Sequence, residues 1–184
     1  MKYYGAEELA RSFRTVRGNT LEAAREIPEE KYGFAPAPGC RTVEKLLTHI
    51  ALAHRFQFRM HAEEKRTDLD GFDFPALMAE LAAEEAQSRT KAEVIDFLER
   101  EGEQWAGFLD GLSEEFLAEH VHFPEGAEPP SKSRFEMILS VKEHEMHHRG
   151  QLMVVQRLLG LVPHLTRQRD ERMAQARARS ASAS

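Results

Sequence analysis

The sequence predicts an all-α fold, a four-helix bundle, on three observations. No segment alternates apolar and polar residues in the way a half-buried strand does. Glycine and proline fall in clusters, with long stretches of apolar residues at three- and four-residue spacing between them. Four of those stretches are long enough to pack side by side around one core. The 184 residues suit a single domain, and 41% hydrophobic with 30% charged residues reads as a soluble globular chain.

The first helix is expected over residues 6–27, with Leu9, Phe13, Val16 and Thr20 as its inward stripe. Pro28 ends it, because proline lacks a backbone donor and clashes with the preceding turn. Residues 28–41 carry Pro36, Pro38 and Gly39 and form an ordered loop. Thr42 caps the second helix. That helix runs to about Glu64 along the inward line Leu46, His49 or Ile50, Ala53, Phe56 and Met60.

A linker over residues 65–73 leads to helical text over 75–112. Pro75 suits a first helical turn. Thr90-Lys91-Ala92-Glu93 is a capping-box pattern, at which the segment breaks or kinks near Arg89. Val94, Phe97, Leu98, Trp105, Phe108 and Leu109 then give a bulky face, read as core rather than as a substrate box. Residues 111–132 hold Pro124, Gly126, Pro129 and Pro130; a connection of that length covers something or crosses the bundle. A second capping box, Ser133 to Glu136, opens the last long helix, which Gly160 stops after Leu159. Residues 1–165 thus read as the bundle. Residues 166–184, rich in Arg, Ala and Ser without an apolar face, read as a frayed, flexible tail.

A net charge of -6 argues against broad nucleic-acid binding. The tail arginines (Arg167, Arg169, Arg172, Arg177 and Arg179) are interrupted by Asp170 and Glu171 and lack an aromatic neighbour to stack on bases, so they read as solvated. Cys40 is the only cysteine, which excludes an internal disulfide and fits a reducing cytoplasm and equally any compartment that does not need disulfides. It is read as a packing residue. Met1–Leu9 is polar, so no signal peptide is expected, and no apolar stretch approaches the ~20 residues that cross a bilayer.

The chemistry concentrates in His144-Glu145-Met146-His147-His148, followed by Arg149-Gly150-Gln151. Two histidines four residues apart on a helix aim to one side, one turn apart, which is a chelating geometry. In the last helix the inward spacing runs Ile138, Val141, His144 or Glu145, His148, Leu152, Val155 and Leu159, so that His144 and His148 interrupt the buried face. Burying such rings without partners costs roughly 1–3 kcal/mol for each unsatisfied group; a bound cation removes that cost. His49, on the inward line of another helix, supplies a third ring. His147 points about 100° from His148 and is not expected to share the ion. His54, His61, His120, His122 and His164 read as surface or loop residues.

The same residues match H-E-x-x-H, a zinc metalloprotease pattern with Glu145 as general base. Gln151 and Val154 stand where its extended form has Gly and a third His, and no strand is evident to present a peptide.

Val43-Glu44-Lys45-Leu46-Leu47-Thr48-His49-Ile50, the His144-x-x-x-His148-Arg149-Gly150-Gln151-Leu152 run and the Pro36-x-Pro38-Gly39 loop together resemble the DinB/YfiT-like superfamily of metal-binding four-helix bundles. The resemblance spans most of Ala6 to Gly160. It implies an up-down-down-up helix order, frequently in a homodimer. It implies that His49, His144 and His148 ligate one divalent ion, nickel or zinc, with Arg149 and Gln151 supporting the site. It further implies a thiol-dependent transferase or isomerase that joins a low-molecular-weight thiol to a small electrophile. No residue identifies the thiol, the electrophile or a catalytic group. A second reading is a non-catalytic stress-response bundle whose ion locks helices together, and access from solvent to the ion separates it from the first. A third is no metal at all, with the histidines hydrogen-bonded to carboxylates such as Glu143 or Glu145.

Overall fold

In the computed structural model residues 4–182 are described; Met1–Tyr3 of the polar N-terminal stretch and the last two tail residues lie outside them. Helix α1 (Ala6–Glu26) buries Leu9, Phe13, Val16 and Thr20, the expected stripe, and gives way to extended backbone at Ile27, just before Pro28. Helix α2 (Val43–Leu52) starts where the Thr42 hydroxyl accepts the Lys45 amide at 3.2 Å.

The second helix does not run unbroken to Glu64. It stops at Leu52, resumes as α3 (Arg55–Phe58) and ends in a π-helical turn, Arg59–Glu63. At the break His54 Nδ1 donates to the Ala51 carbonyl at 3.1 Å, a side-chain bond that competes for a carbonyl of the helical ladder. The third stretch breaks where expected, into α4 (Phe74–Ala86) and α5 (Lys91–Asp110), with Thr90 and Glu93 closing the capping box.

The long connection holds a short helix α6 (Glu114–Ala118) and a two-stranded antiparallel hairpin, β1 (His120–His122) with β2 (Ser131–Ser133). The expectation of no sheet fails here. Three-residue strands are too short to write a periodic pattern, and pairing rather than propensity makes them. Helix α7 (Arg134–Leu158) follows the Ser133 cap and stops before Gly160, whose φ of 80° suits glycine.

The tail is helical too: α8 spans His164–Ser182. Its Arg, Ala, Gln and Met residues are good helix formers, which an argument from the missing apolar face overlooks. That missing face is real, since residues 167–181 are all exposed.

Cross-helix contacts set the directions of the four bundle helices. Ser12 meets Lys142, Arg17 meets Glu145 and Glu26 meets Gln156, so α1 and α7 run parallel. Arg14 meets Glu103 and Lys91 meets the carbonyls of Arg25 and Ile27, so α5 opposes α1. Glu44 meets Arg89 and Arg55 meets Glu101, so the second helix parallels α5. The order is up-down-down-up.

Beside a small cluster of Met60, Val121 and Met137, the core has two large apolar clusters with a polar layer between them. One holds Ile27, Val43, Leu47, Ile50, Leu98 and Leu152. The other holds Phe13, Trp105, Leu109, Leu117, Ile138 and Val141, so Trp105 and Leu109 are core as expected. In the layer, Arg17 Nε donates to both Glu145 oxygens at 3.0 and 3.1 Å, and the Thr20 hydroxyl donates to Glu145 at 2.7 Å. Arg17 also donates to the Leu98 carbonyl at 2.6 Å, tying α5 to the pair. Gly102 is needed there, because a Cβ would stand 2.8 Å from Arg17 Nη1.

Candidate metal centre

Helix α7 sets Glu145 inward and turns His144 and His148 to its flank, toward α2. His49 comes from the facing side of α2. His144 Nε2 lies 3.2 Å from His49 Nε2 and 3.1 Å from His148 Nε2. One nitrogen from each ring falls within 4.8 Å of the other two. A tetrahedral ion with bonds of ~2.0–2.1 Å spaces its nitrogens about 3.3 Å apart, close to what the rings present.

The outer nitrogens decide what the inner ones offer. His49 Nδ1 sits 3.1 Å from Glu85 Oε2, and a carboxylate only accepts, so Nδ1 carries the proton. His148 Nδ1 donates to Gln151 Oε1 at 2.8 Å. Both Nε2 atoms therefore present lone pairs to His144 Nε2. A single proton there serves that crowded triangle poorly; a cation serves all three nitrogens. The donor set thus fits a divalent ion that prefers imidazole. His144 Nδ1 is buried without a hydrogen-bond partner among the described residues.

Burial pushes all three imidazoles below the usual histidine range. For His49 the Arg41 cation adds to burial while Glu85 opposes it. For His148 the Gln151 bond opposes burial and the neighbouring His147 reinforces it. His144, buried and beside two other rings, falls to about 4. At neutral pH the three rings are uncharged, as ligands must be. For Glu85, burial works upward, but Arg41 and His49 outweigh it and hold the carboxyl below its usual value.

Sequence reasoning missed Glu85 and Arg41. Glu85 closes the α4 series Phe74, Met78, Leu81, Ala82 and Glu85, which is a helical stripe ending in an acid. Arg41 Nε donates to Glu85 at 2.5 Å. Gln151 is placed as expected, and its amide nitrogen also donates to exposed His147 at 3.1 Å, which stays outside the cluster. Arg149 is half-buried, and its Nη1 has no partner among the described residues.

Glu145 is 1% exposed and locked to Arg17 and Thr20, so it is not free to act as a base beside the rings, as the protease pattern requires. Cys40 is exposed rather than packed, and lines a cavity beside His148. Three histidines read as surface or loop are buried. His54 faces Trp105, His61 accepts from Arg134 at 2.8 Å, and His164 meets Asn19 at 3.2 Å. Partners distant in sequence make their burial tolerable, and a linear reading cannot see them.

Two cavities reach the rings. One, of about 420 Å³, lies under the 36–41 loop and is lined by Cys40, Arg41, Leu46, His148, Gln151 and Val154. The other, of about 520 Å³, lies between α2 and α4 and ends at Arg41, His49, Glu85 and His144. No helix of the described residues is long and apolar enough to cross a membrane.

A family model, the DinB superfamily, matches residues 12–152. No curated protein matches the chain. A DinB-like protein from Bacillus cereus superposes with a TM-score of 0.65 at 16% identity, covering 88% of this chain and 97% of its own. YfiT from Bacillus subtilis, described as a probable metal-dependent hydrolase with an unusual four-helix bundle topology, gives 0.64 at 14% identity over 85% and 88% of the two chains. A second Bacillus subtilis structure, the DinB-like protein YjoA, gives 0.61 at 22% identity over 83% and 92%. At these identities the likeness shows the fold.

Proposed function

The chain belongs to the DinB superfamily, and from that premise we propose that it is a divalent-metal enzyme, with His49, His144 and His148 as the protein ligands, that joins a low-molecular-weight thiol to a small electrophile. The observation that carries this reading is the convergence of three Nε2 lone pairs whose rings are fixed from behind by Glu85 and Gln151. Three protein ligands rather than four leave an open position, which is a feature of reactive centres. Solvent reaches the rings through two cavities, which favours catalysis over an ion that only locks helices.

A bound nickel or zinc ion would supply Lewis acidity, lowering the pKa of whatever group takes the open position. The chain's residues do the rest. Glu85 and Gln151 hold the rings in one tautomer, and Arg41 holds Glu85 ionised. In the overall reaction the thiol sulfur bonds to the electrophilic carbon as the leaving group departs, and the thiol proton ends on that group or in water.

Hydrolysis is the second reading, favoured by the description of YfiT; water then replaces the thiol. The homodimer goes with the same family reading, and light scattering tests it. Elemental analysis of untagged protein comes first, followed by mass spectrometry after incubation with a thiol panel and 1-chloro-2,4-dinitrobenzene. One metal per chain and a metal-dependent thioether are expected. Metal without thioether, but with ester or amide cleavage, selects hydrolysis. Protein purified under metal-replete conditions without metal refutes both.

A further inference from the structure

Helix α4 packs oddly for a bundle element. Leu77 is its only buried residue. Its apolar stripe (Phe74, Met78, Leu81 and Ala82) lines the larger cavity, and of the four only Leu81 also packs against a core cluster. Phe74 and Met78 are 48% and 36% exposed, unusually open for large apolar side chains. Across the cavity, α2 and α3 present Leu52 and Phe56, and the Phe56 ring meets the Phe74 ring edge-on at 5.5 Å. Toward the imidazoles the lining turns polar, at His49 on α2 and Glu85 on α4, joined by Arg41 of the loop before α2 and His144 of α7. Uncovered apolar area is unfavourable in water, so this wall is built for an apolar occupant. The volume of about 520 Å³ falls in the range of small-molecule sites.

We infer that the α2–α4 cavity is the subsite for the electrophile, and that it selects an aryl or branched-alkyl body whose polar reacting end is presented to the imidazole cluster. The loop-side cavity meets the cluster at His148 rather than at His49 and His144, with Arg41 on the boundary of both. The second reactant can enter there while the first is seated, so the two meet at the rings from different sides. This inference rests on the metal-enzyme reading above and assigns its substrate class.

The test uses the zinc-loaded full chain and two probes that share a metal-binding head, acetohydroxamate and benzohydroxamate, titrated by calorimetry. Burial of the phenyl group predicts benzohydroxamate binding at least about tenfold tighter. Met78→Glu and Phe74→Ser, both surface changes on α4, lose that gain and keep acetohydroxamate affinity. Val154→Glu, on the loop-side cavity, keeps the gain. A phenyl gain below twofold, or one insensitive to Met78→Glu, overturns the subsite. So does a gain abolished by Val154→Glu, which places the ring in the other cavity. Failure of both probes to bind the zinc-loaded chain means that the ion has no open position, which overturns the metal-enzyme reading, and the subsite with it.

Discussion

Glu85→Gln tests the centre through a residue that touches no ion. The wild-type carboxylate accepts the His49 Nδ1 proton at 3.1 Å and is held ionised by Arg41. Glutamine keeps an acceptor oxygen but removes the charge. A hydrogen bond to a charged group is worth about 1.5–3 kcal/mol against about 0.5–1.5 for a neutral one. The carboxylate is only partly exposed, so most of that difference survives solvent, leaving about 1–1.5 kcal/mol. At 1.4 kcal/mol per decade, zinc affinity drops about tenfold. The assay is competition with a chromophoric chelator at pH 7.5. Glu84→Gln is the control, because Glu84 sits one residue away but pairs with Arg89. Affinity of Glu85→Gln within twofold of wild type, or an equal loss in Glu84→Gln, refutes the claim that Glu85 orients His49.

Other expectations follow from the same geometry. His49→Ala, His144→Ala and His148→Ala lose metal sharply in elemental analysis, while His147→Ala retains it; equal loss in all four means that the wrong face was chosen. Glu145→Ala leaves Arg17 as a buried charge without its counter-ion, which costs about 3–5 kcal/mol and lowers the melting midpoint by about 10 °C for a chain of this size. A midpoint within 2 °C of wild type contradicts the pair's structural role. Burial holds His54 near pH 4, and burial with Arg134 holds His61 there too. Both rings titrate at about 6.5 when unfolded. Between those values only the unfolded chain takes up the protons, so stability is full above pH 6.5 and falls toward pH 4. Urea titration in EDTA reads a loss of about 2 kcal/mol per histidine between pH 7 and pH 5, and a flat profile contradicts it.

Much of the bundle is legible in the linear text because the signals are local. Pro28, the Thr42 and Ser133 caps and the Thr90 box place helix ends within a residue or two. The His144–His148 pair is legible for the same reason, since four-residue spacing fixes relative direction within one helix. His49 could be placed only on an inward line shared with Ile50, and the structure gives the deep position to Ile50 and the flank to the histidine. The break at His54, the three-residue hairpin strands and the exposed α8 were beyond periodicity. The first depends on one side-chain bond, the second on pairing, and the third on propensity without packing.

What the sequence alone determined is therefore the four long helical stretches of the bundle, most of their caps and the chelating pair, all set by contacts within about four residues. The tertiary structure decided which face of α7 is the inside. Arg17, 128 residues away, pulls Glu145 into the core and so turns His144 and His148 outward to meet His49 and the cavities. An ion pair between distant segments fixes that rotation, and its energy exists only once the helices are side by side.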